Sequence, residues 1–433
     1  MVQRTTRHAA ARIEQLIREL VDVPLPVGLT AWDGSEEGPE QGPRVLLRNR
    51  RALRHLLWQP GELGLARAFV SGDLDVRGDL TEALRRCWAV ARAQDRGPLR
   101  LRGRHWGRLA RAALRLGALG PRPPVPPGEA RPSGRLHSRG RDRSVIAHHY
   151  DAGNAFYELL LDPQMAYSCG YFTAPDDDLE QAQDAKLDLI CRKLALQPGM
   201  RLLDVGCGWG SLVLYAARRH GVRATAVTLS AEQADYLRRC AAELGLQEQV
   251  QVLHQDYRAI GGEPFDAVAS VEMGEHVGAD NYPRYAATLH RMLRPGGRLL
   301  IQQMSRAGNA PGGGAFIESY IAPDMTMVPI GSTLDLLESA GLEVRDVEAM
   351  REHYVRTVRA WLAALQENWS AAVALMGEQQ ARVWWLYLAG GALAFEENRM
   401  GVHQVVAVRP DATGASGMAL GDRAALPGRG VPA

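Results

Sequence analysis

Apolar residues recur at helical spacing over residues 1–20 (Ile13, Leu16, Ile17, Leu20) and 45–59 (Leu46, Leu47, Leu53, Leu56, Leu57), with a turn-rich stretch at 32–43 between them. Residues 61–80 read as a helix, a Gly-Asp turn and a short strand, and 80–119 as a second helical stretch with Trp88 and Trp106 set among arginines. Residues 121–143 are rich in Pro, Gly and Arg and offer little to bury, as in an extended linker. From residue 179 onward the pattern alternates. A helix at 179–200 leads into an apolar strand at 202–205, and strands at 224–230, 250–258, 265–273 and 298–304 follow, separated by helices at 211–220, 231–244 and 282–293. A further helix at 333–340 and strands at 342–350 and 402–410 complete the pattern. This βαβα alternation predicts a doubly wound α/β sheet. Two apolar insertions, 307–329 and 354–400, carry Tyr320, Met325, Met327, Trp361, Trp369, Trp384, Trp385 and Phe395. They suit a long apolar substrate, or simply core. The Ala/Gly/Pro tail after Asp411 reads as disordered.

The boundaries drawn from this pattern are a basic, mostly helical N-terminal domain (1–120), a linker (121–143), an α/β domain (144–410) and a tail (411–433). Charge sharpens the division. Residues 1–146 hold 27 Arg, no Lys and 15 acidic residues, a net +12, and the remainder is −10. A basic front half suits an anionic membrane surface or nucleic acid, or is no more than solvated helix faces. No apolar run is long enough to span a bilayer and no signal-peptide pattern opens the chain, so the expectation is a cytoplasmic protein. The five cysteines include no C-x-x-C pair, which suggests neither a disulfide frame nor a zinc site.

The strand at 202–205 runs through Asp204 into Gly206-Cys207-Gly208-Trp209-Gly210. Glycines there let backbone amides approach a ligand at the carboxyl end of a strand and the positive end of a helix. The third glycine of a dinucleotide fingerprint is absent, Ser211 standing in its place, and no phosphate-cradling G-x-x-x-x-G-K-[ST] occurs. The pattern D-x-G-x-G-x-G suits S-adenosylmethionine, whose sulfonium needs no phosphate grip. Asp256, at a strand end, and Tyr257 fit the place where an acid meets an adenine amine. Thr228, Leu229 and Gln233 follow the preceding strand; no acid stands at the ribose position, but the Gln233 amide can bond both hydroxyls. Upstream, residues 144–172 are dense in His, Tyr, Asp, Asn, Ser and Cys (His148, His149, Tyr150, Asp151, Asn154, Tyr157, Tyr167, Ser168, Cys169, Tyr171), as a segment folding over a site would be. Glu272, Glu275 and His276 follow a strand end, where titratable groups are costly unless used.

Taken in order, HYDAGNAFYELLLD, MAYSCGYF, LLDVGCGWG, VTLSAEQ, FDAVASVEMGEHVG, RMLRPGGRLLIQ and REHYVRTVRAW closely resemble the cyclopropane-fatty-acyl-phospholipid synthase family, which includes mycolic acid cyclopropane synthases and enzymes forming 10-methylene and 10-methyl fatty acids. The resemblance covers about 144–410. It implies a class I methyltransferase, Rossmann-like sheet with helical insertions, whose last two strands pair antiparallel at one edge. It implies S-adenosylmethionine held by Tyr167, Ser168, Asp204, Gly206, Gly208, Thr228, Leu229, Gln233, Asp256 and Tyr257. It also implies a bicarbonate ion as base, with ligands at Cys169, Glu275 and Tyr354, a His position that is Gln302 here, and the backbone of Met304. A neutral amide brings no charge to an anion, so Gln302 departs from the family pattern.

The resulting expectation is transfer of a one-carbon unit to the double bond of an unsaturated phospholipid acyl chain, giving a methylene branch, with cyclopropane formation as the alternative and a non-catalytic lipid-binding homologue as a remote one. The protein would sit peripherally at the inner face of the membrane, and a homodimer is compatible with the family. A separate reductase would have to act on a methylene product, since no second nucleotide fingerprint is present. Target-base motifs such as N-P-P-Y are absent, which argues against nucleic acid as substrate.

Overall fold

The computed structural model describes residues 8–93, 107, 111–130, 134–138, 140–142, 145, 153–306 and 313–418. Trp106, His148, His149, Tyr150, Asp151 and the tail from residue 419 lie outside the described residues. Chain contacts divide the protein into two compact units. One comprises Met1–Glu129, Gly314–Ile321 and Trp369–Leu393, and the other Ala130–Gly313, Ala322–Asn368 and Ala394–Ala433. Parts of both apolar insertions therefore cluster with N-terminal residues.

The first unit packs helices Ala9–Val21, Arg51–Trp58 and Glu62–Val70 with a small sheet of β1 (Gly28–Thr30), β2 (Glu36–Glu37), β3 (Arg44–Leu47) and β4 (Leu74–Arg77), in the order β2-β1-β3-β4. Its core gathers Ile13, Leu25, Leu29, Leu47 and Leu116. The helical reading of 45–59 is corrected here: Leu46 and Leu47 belong to β3, whose alternation is too short to register against the helical period that follows. Arg382 is buried, donating to the Phe69 carbonyl (2.7 Å), the Leu74 carbonyl (3.0 Å) and Asp75 (3.2 Å), with its guanidinium 4.3 Å over the Phe69 ring.

The second unit is built on seven strands: β5 (Arg201–Val205), β6 (Arg223–Thr228), β7 (Val250–His254), β8 (Phe265–Val271), β9 (Leu293–Arg306), β10 (Glu343–Ala349) and β11 (Met400–Val408), in the order β10-β11-β9-β8-β5-β6-β7. β5 through β9 pair in parallel, and β11 inserts antiparallel between β9 and β10. The central strands are near-continuous apolar runs because helices cover both faces. β5 and β8 lie side by side, with Asp204 opposite Ala269, so the loops leaving their carboxyl ends open on one edge of the sheet. The start of the expected disordered tail is ordered: Asp411 accepts from the backbone amides of Thr413 (2.8 Å) and Ala415 (3.0 Å).

Candidate active site

The glycine turn after β5 holds the conformation the sequence requires. Gly206, Gly208 and Gly210 all have positive φ (84°, 54° and 92°). A Cβ on Gly206 would lie 2.7 Å from Met273, and one on Gly210 would lie 2.2 Å from Leu237, whereas one on Gly208 would project into open space. Gly206 and Gly208 line a cleft of about 870 Å³, solvent at its mouth included, with Val227, Thr228, Leu229, Gln233, Gln255, Tyr257, Arg258, Glu272, Met273, His276 and Val277.

Several expected cofactor residues meet here with unused hydrogen-bonding capacity. Thr228 donates to the Gln233 carbonyl oxygen (2.9 Å), leaving the buried Gln233 Nε2 without a partner among the described residues. Behind the glycine turn, and not itself lining the cleft, Asp204 Oδ1 is likewise unpaired among the described residues; burial pushes this carboxyl up to about 7, against the pull of Lys186. Orphaned buried groups of this kind call for a ligand, and the set fits S-adenosylmethionine. Three further expected residues are engaged by other groups of the protein. Asp256 spends its carboxylate on Arg258 (2.8 and 2.6 Å), which also grips Asp142 (2.9 Å), and its neighbours Gln255 and Tyr257 face the cleft instead. Ser168 Oγ accepts from Lys186 Nζ (2.9 Å). Tyr167 packs between Tyr157 and Trp361, at centroid distances of 5.5 and 5.0 Å.

The base-site residues converge, but on Glu272. Its Oε1 accepts from the Cys169 amide (2.8 Å) and Gln302 Nε2 (2.9 Å), and its Oε2 from the Tyr354 hydroxyl (2.5 Å). Cys169, Gln302 and Tyr354 are buried, while Glu272 is half-buried and borders the cleft. Glu275 stands apart from these donors. Its Oε1 accepts from the Met304 amide, and its Oε2 has no partner among the described residues. Burial and the neighbouring Glu272 charge push Glu275 up to about 8, so it is largely protonated at neutral pH.

A buried polar chain orients Gln302. Its carbonyl oxygen accepts from Gln404 Nε2 (2.9 Å), and the Gln404 carbonyl oxygen accepts from Lys193 Nζ (2.7 Å), which also pairs with Glu348. An ammonium can only donate, so Lys193 fixes the sense of both amides and turns the Gln302 NH₂ toward Glu272. Neither this chain nor the central place of Glu272 was anticipated. One signal was present: the chain has only two lysines among 51 basic residues, Lys186 and Lys193, and both are buried, Lys193 in this chain and Lys186 against Ser168.

A glycine turn at the end of β5, a cleft with orphaned polar groups and an antiparallel β11 inserted between β9 and the edge strand β10 define an S-adenosylmethionine-dependent methyltransferase of class I. The family model for mycolic acid cyclopropane synthetase matches residues 137–405, and the chain belongs to that family. It is 42% identical over 410 residues to a probable fatty acid methyltransferase of Mycobacterium tuberculosis, covering 91% of this chain and 94% of that protein. It is 36% identical to the cyclopropane-fatty-acyl-phospholipid synthase of Escherichia coli K12, over 63% of this chain and 69% of that one. Among solved structures, it resembles the mycolic acid cyclopropane synthase CmaA1 complexed with SAH and CTAB, with 32% identity and a TM-score of 0.58, covering 61% of this chain and 97% of that one.

Proposed function

We propose that this methyltransferase acts on the double bond of an unsaturated acyl chain in a membrane phospholipid and forms a methylene branch. The carrying observation is a carboxylate held by three donors on the wall of the methyl-donor cleft. Methylation of oxygen or nitrogen removes a proton from a heteroatom; methylation of an alkene needs a proton taken from carbon, for which a fixed anionic acceptor is the fitting device. Gly206, Gly208, Gln233 and Tyr257 would hold S-adenosylmethionine, which when bound would supply an electrophilic methyl to the alkene π pair, its sulfur keeping the S–CH₃ electron pair. Met273, Val277 and Leu229 keep that wall apolar, so the resulting carbocation on the acyl chain is shielded from water. A hydride shift followed by proton loss from the new methyl gives the exocyclic methylene; proton loss without the shift closes a cyclopropane ring.

Relatives that match along more than nine-tenths of this chain are named fatty acid methyltransferases, and those named cyclopropane synthases match over about three-fifths of it, which favours the branch over the ring. The basic residues of 1–146 would dock on anionic headgroups; among the described residues no helix is long and apolar enough to cross a membrane. A separate reductase would convert the methylene to a methyl branch. Incubating the protein with S-adenosylmethionine and oleoyl phospholipid, then reading the fatty esters by mass spectrometry and proton NMR, tests the reading. Exocyclic methylene protons support it, ring protons replace the product by a cyclopropane, and unchanged ester refutes it.

A further inference from the structure

We infer that the Glu272 carboxylate is itself the base of the reaction, occupying the place where the family resemblance leads one to expect a bicarbonate ion. This rests on the proposed alkene methylation and names the group that takes the proton. The donors assigned to bicarbonate are already spent. The Cys169 amide, the Gln302 amide and the Tyr354 hydroxyl all bond Glu272, and the Met304 amide bonds Glu275. A second anion placed among them would find at most the Glu275 acid proton as a donor and would face the neighbouring Glu272 charge. Bicarbonate therefore does not fit this site.

The carboxylate has the properties the step requires. Oε1 accepts two hydrogen bonds and Oε2 one from the described protein, and a carboxylate offers about four lone-pair sites, so Oε2 keeps one for a proton arriving from the cleft that Glu272 borders. The backbone agrees: Glu272 sits at φ 51°, a left-handed conformation a non-glycine residue holds only under constraint, and such strain concentrates where a side chain must be aimed. The buried Lys186 ammonium lies close enough to attract the Glu272 charge. In the step, a C–H bond of the transferred methyl breaks, its electron pair forms the C=CH₂ bond and quenches the carbocation, and the proton passes to Oε2, leaving a neutral Glu272 acid that solvent at the cleft mouth deprotonates before the next turnover.

The test compares wild-type protein with Glu272→Gln and Glu272→Gly, the glycine variant suiting the local backbone. Wild-type turnover on oleoyl phospholipid in carbon-dioxide-free buffer should equal that with added bicarbonate. Both variants should lose at least 100-fold in kcat, with S-adenosylhomocysteine affinity, read by calorimetry, within about threefold. Adding bicarbonate or formate to Glu272→Gly, where space has opened beside the same three donors, should restore part of the rate. Wild-type activity that collapses without bicarbonate and returns on its addition would overturn the inference, as would a Glu272→Gln protein that turns over normally. Absence of any modified ester from wild-type protein under both conditions would instead refute the alkene reading.

Discussion

Tyr354→Phe removes one hydrogen bond from the Glu272 carboxylate and changes little else, because the ring stays packed 4.4 Å from Phe395 and 6.0 Å from Trp361. A hydrogen bond to a charged group is worth roughly 1.5 to 3 kcal/mol, and 1.36 kcal/mol corresponds to one pH unit in an ionisation equilibrium. The Tyr354 hydroxyl donates to the ionised form, so its loss disfavours the carboxylate and moves the Glu272 ionisation up by about 1 to 2 pH units. Burial already holds that group above the ordinary carboxylate range, with the three donors opposing it. The base works only when ionised, so activity rises with pH through this ionisation. The acid limb of the kcat–pH profile should shift to higher pH by about 1 to 2 units in Tyr354→Phe, the deficit being greatest in acid and shrinking as pH rises. Single-turnover rates by mass spectrometry from pH 5 to 9 read this directly. An unmoved acid limb, or a uniform loss at every pH, would refute the electrostatic role of the hydroxyl.

Other expectations follow from the same geometry. Lys193→Met frees Gln404 and Gln302 to flip and should lower activity about tenfold at neutral pH with partial recovery in alkali, the signature of a lost donor to Glu272; pH–rate profiles check it. Gly208→Ala adds a methyl that meets no protein atom but lies at the cleft, so it should cost about 1 to 2 kcal/mol of backbone strain and weaken S-adenosylhomocysteine binding at least tenfold by calorimetry. Gly210→Ala, whose Cβ would collide with Leu237, should lower the melting temperature more than Gly208→Ala does. Arg382→Met removes three hydrogen bonds, to the Phe69 carbonyl, the Leu74 carbonyl and Asp75, and should destabilise the protein by about 2 to 4 kcal/mol in denaturant titration without altering cofactor affinity.

The sheet was legible because its parallel strands are buried on both faces and bounded by turn residues, so that 202–205 and 265–273 stand out as apolar runs. The glycine turn was legible because three positive-φ positions in five residues leave no alternative to glycine. β3 was not, since four residues of alternation cannot compete with a helical pattern beginning four residues later. Glu272 and Glu275 were both marked as costly groups at a strand end, but three residues of separation do not reveal which one a short 3₁₀ turn, Gly274–His276, will aim at Tyr354, some eighty residues further along. Asp256 was legible as a strand-end acid; its capture by Arg258, two residues away, depends on the local turn.

Gln302 gains its meaning from this arrangement. Where a free anion must be recruited from solvent, a cationic or protonatable partner aids capture. Where the anion is tethered as Glu272, recruitment costs nothing, and a further positive charge would lower the basicity on which proton abstraction depends. A neutral amide meets the remaining need, a directed donor that supports the carboxylate while lowering its basicity less than a charged partner would. Its direction must then be enforced, since an amide can present either end, and the Lys193–Gln404 relay enforces it. In a chain that otherwise uses arginine for its cations, both lysines lie in this interior, where a compact, three-donor ammonium reaches places a planar guanidinium does not fit. The internal carboxylate, the amide in place of an imidazole and the two lysines are thus parts of one electrostatic arrangement, in which a change at Glu272 alters what each of the others must do.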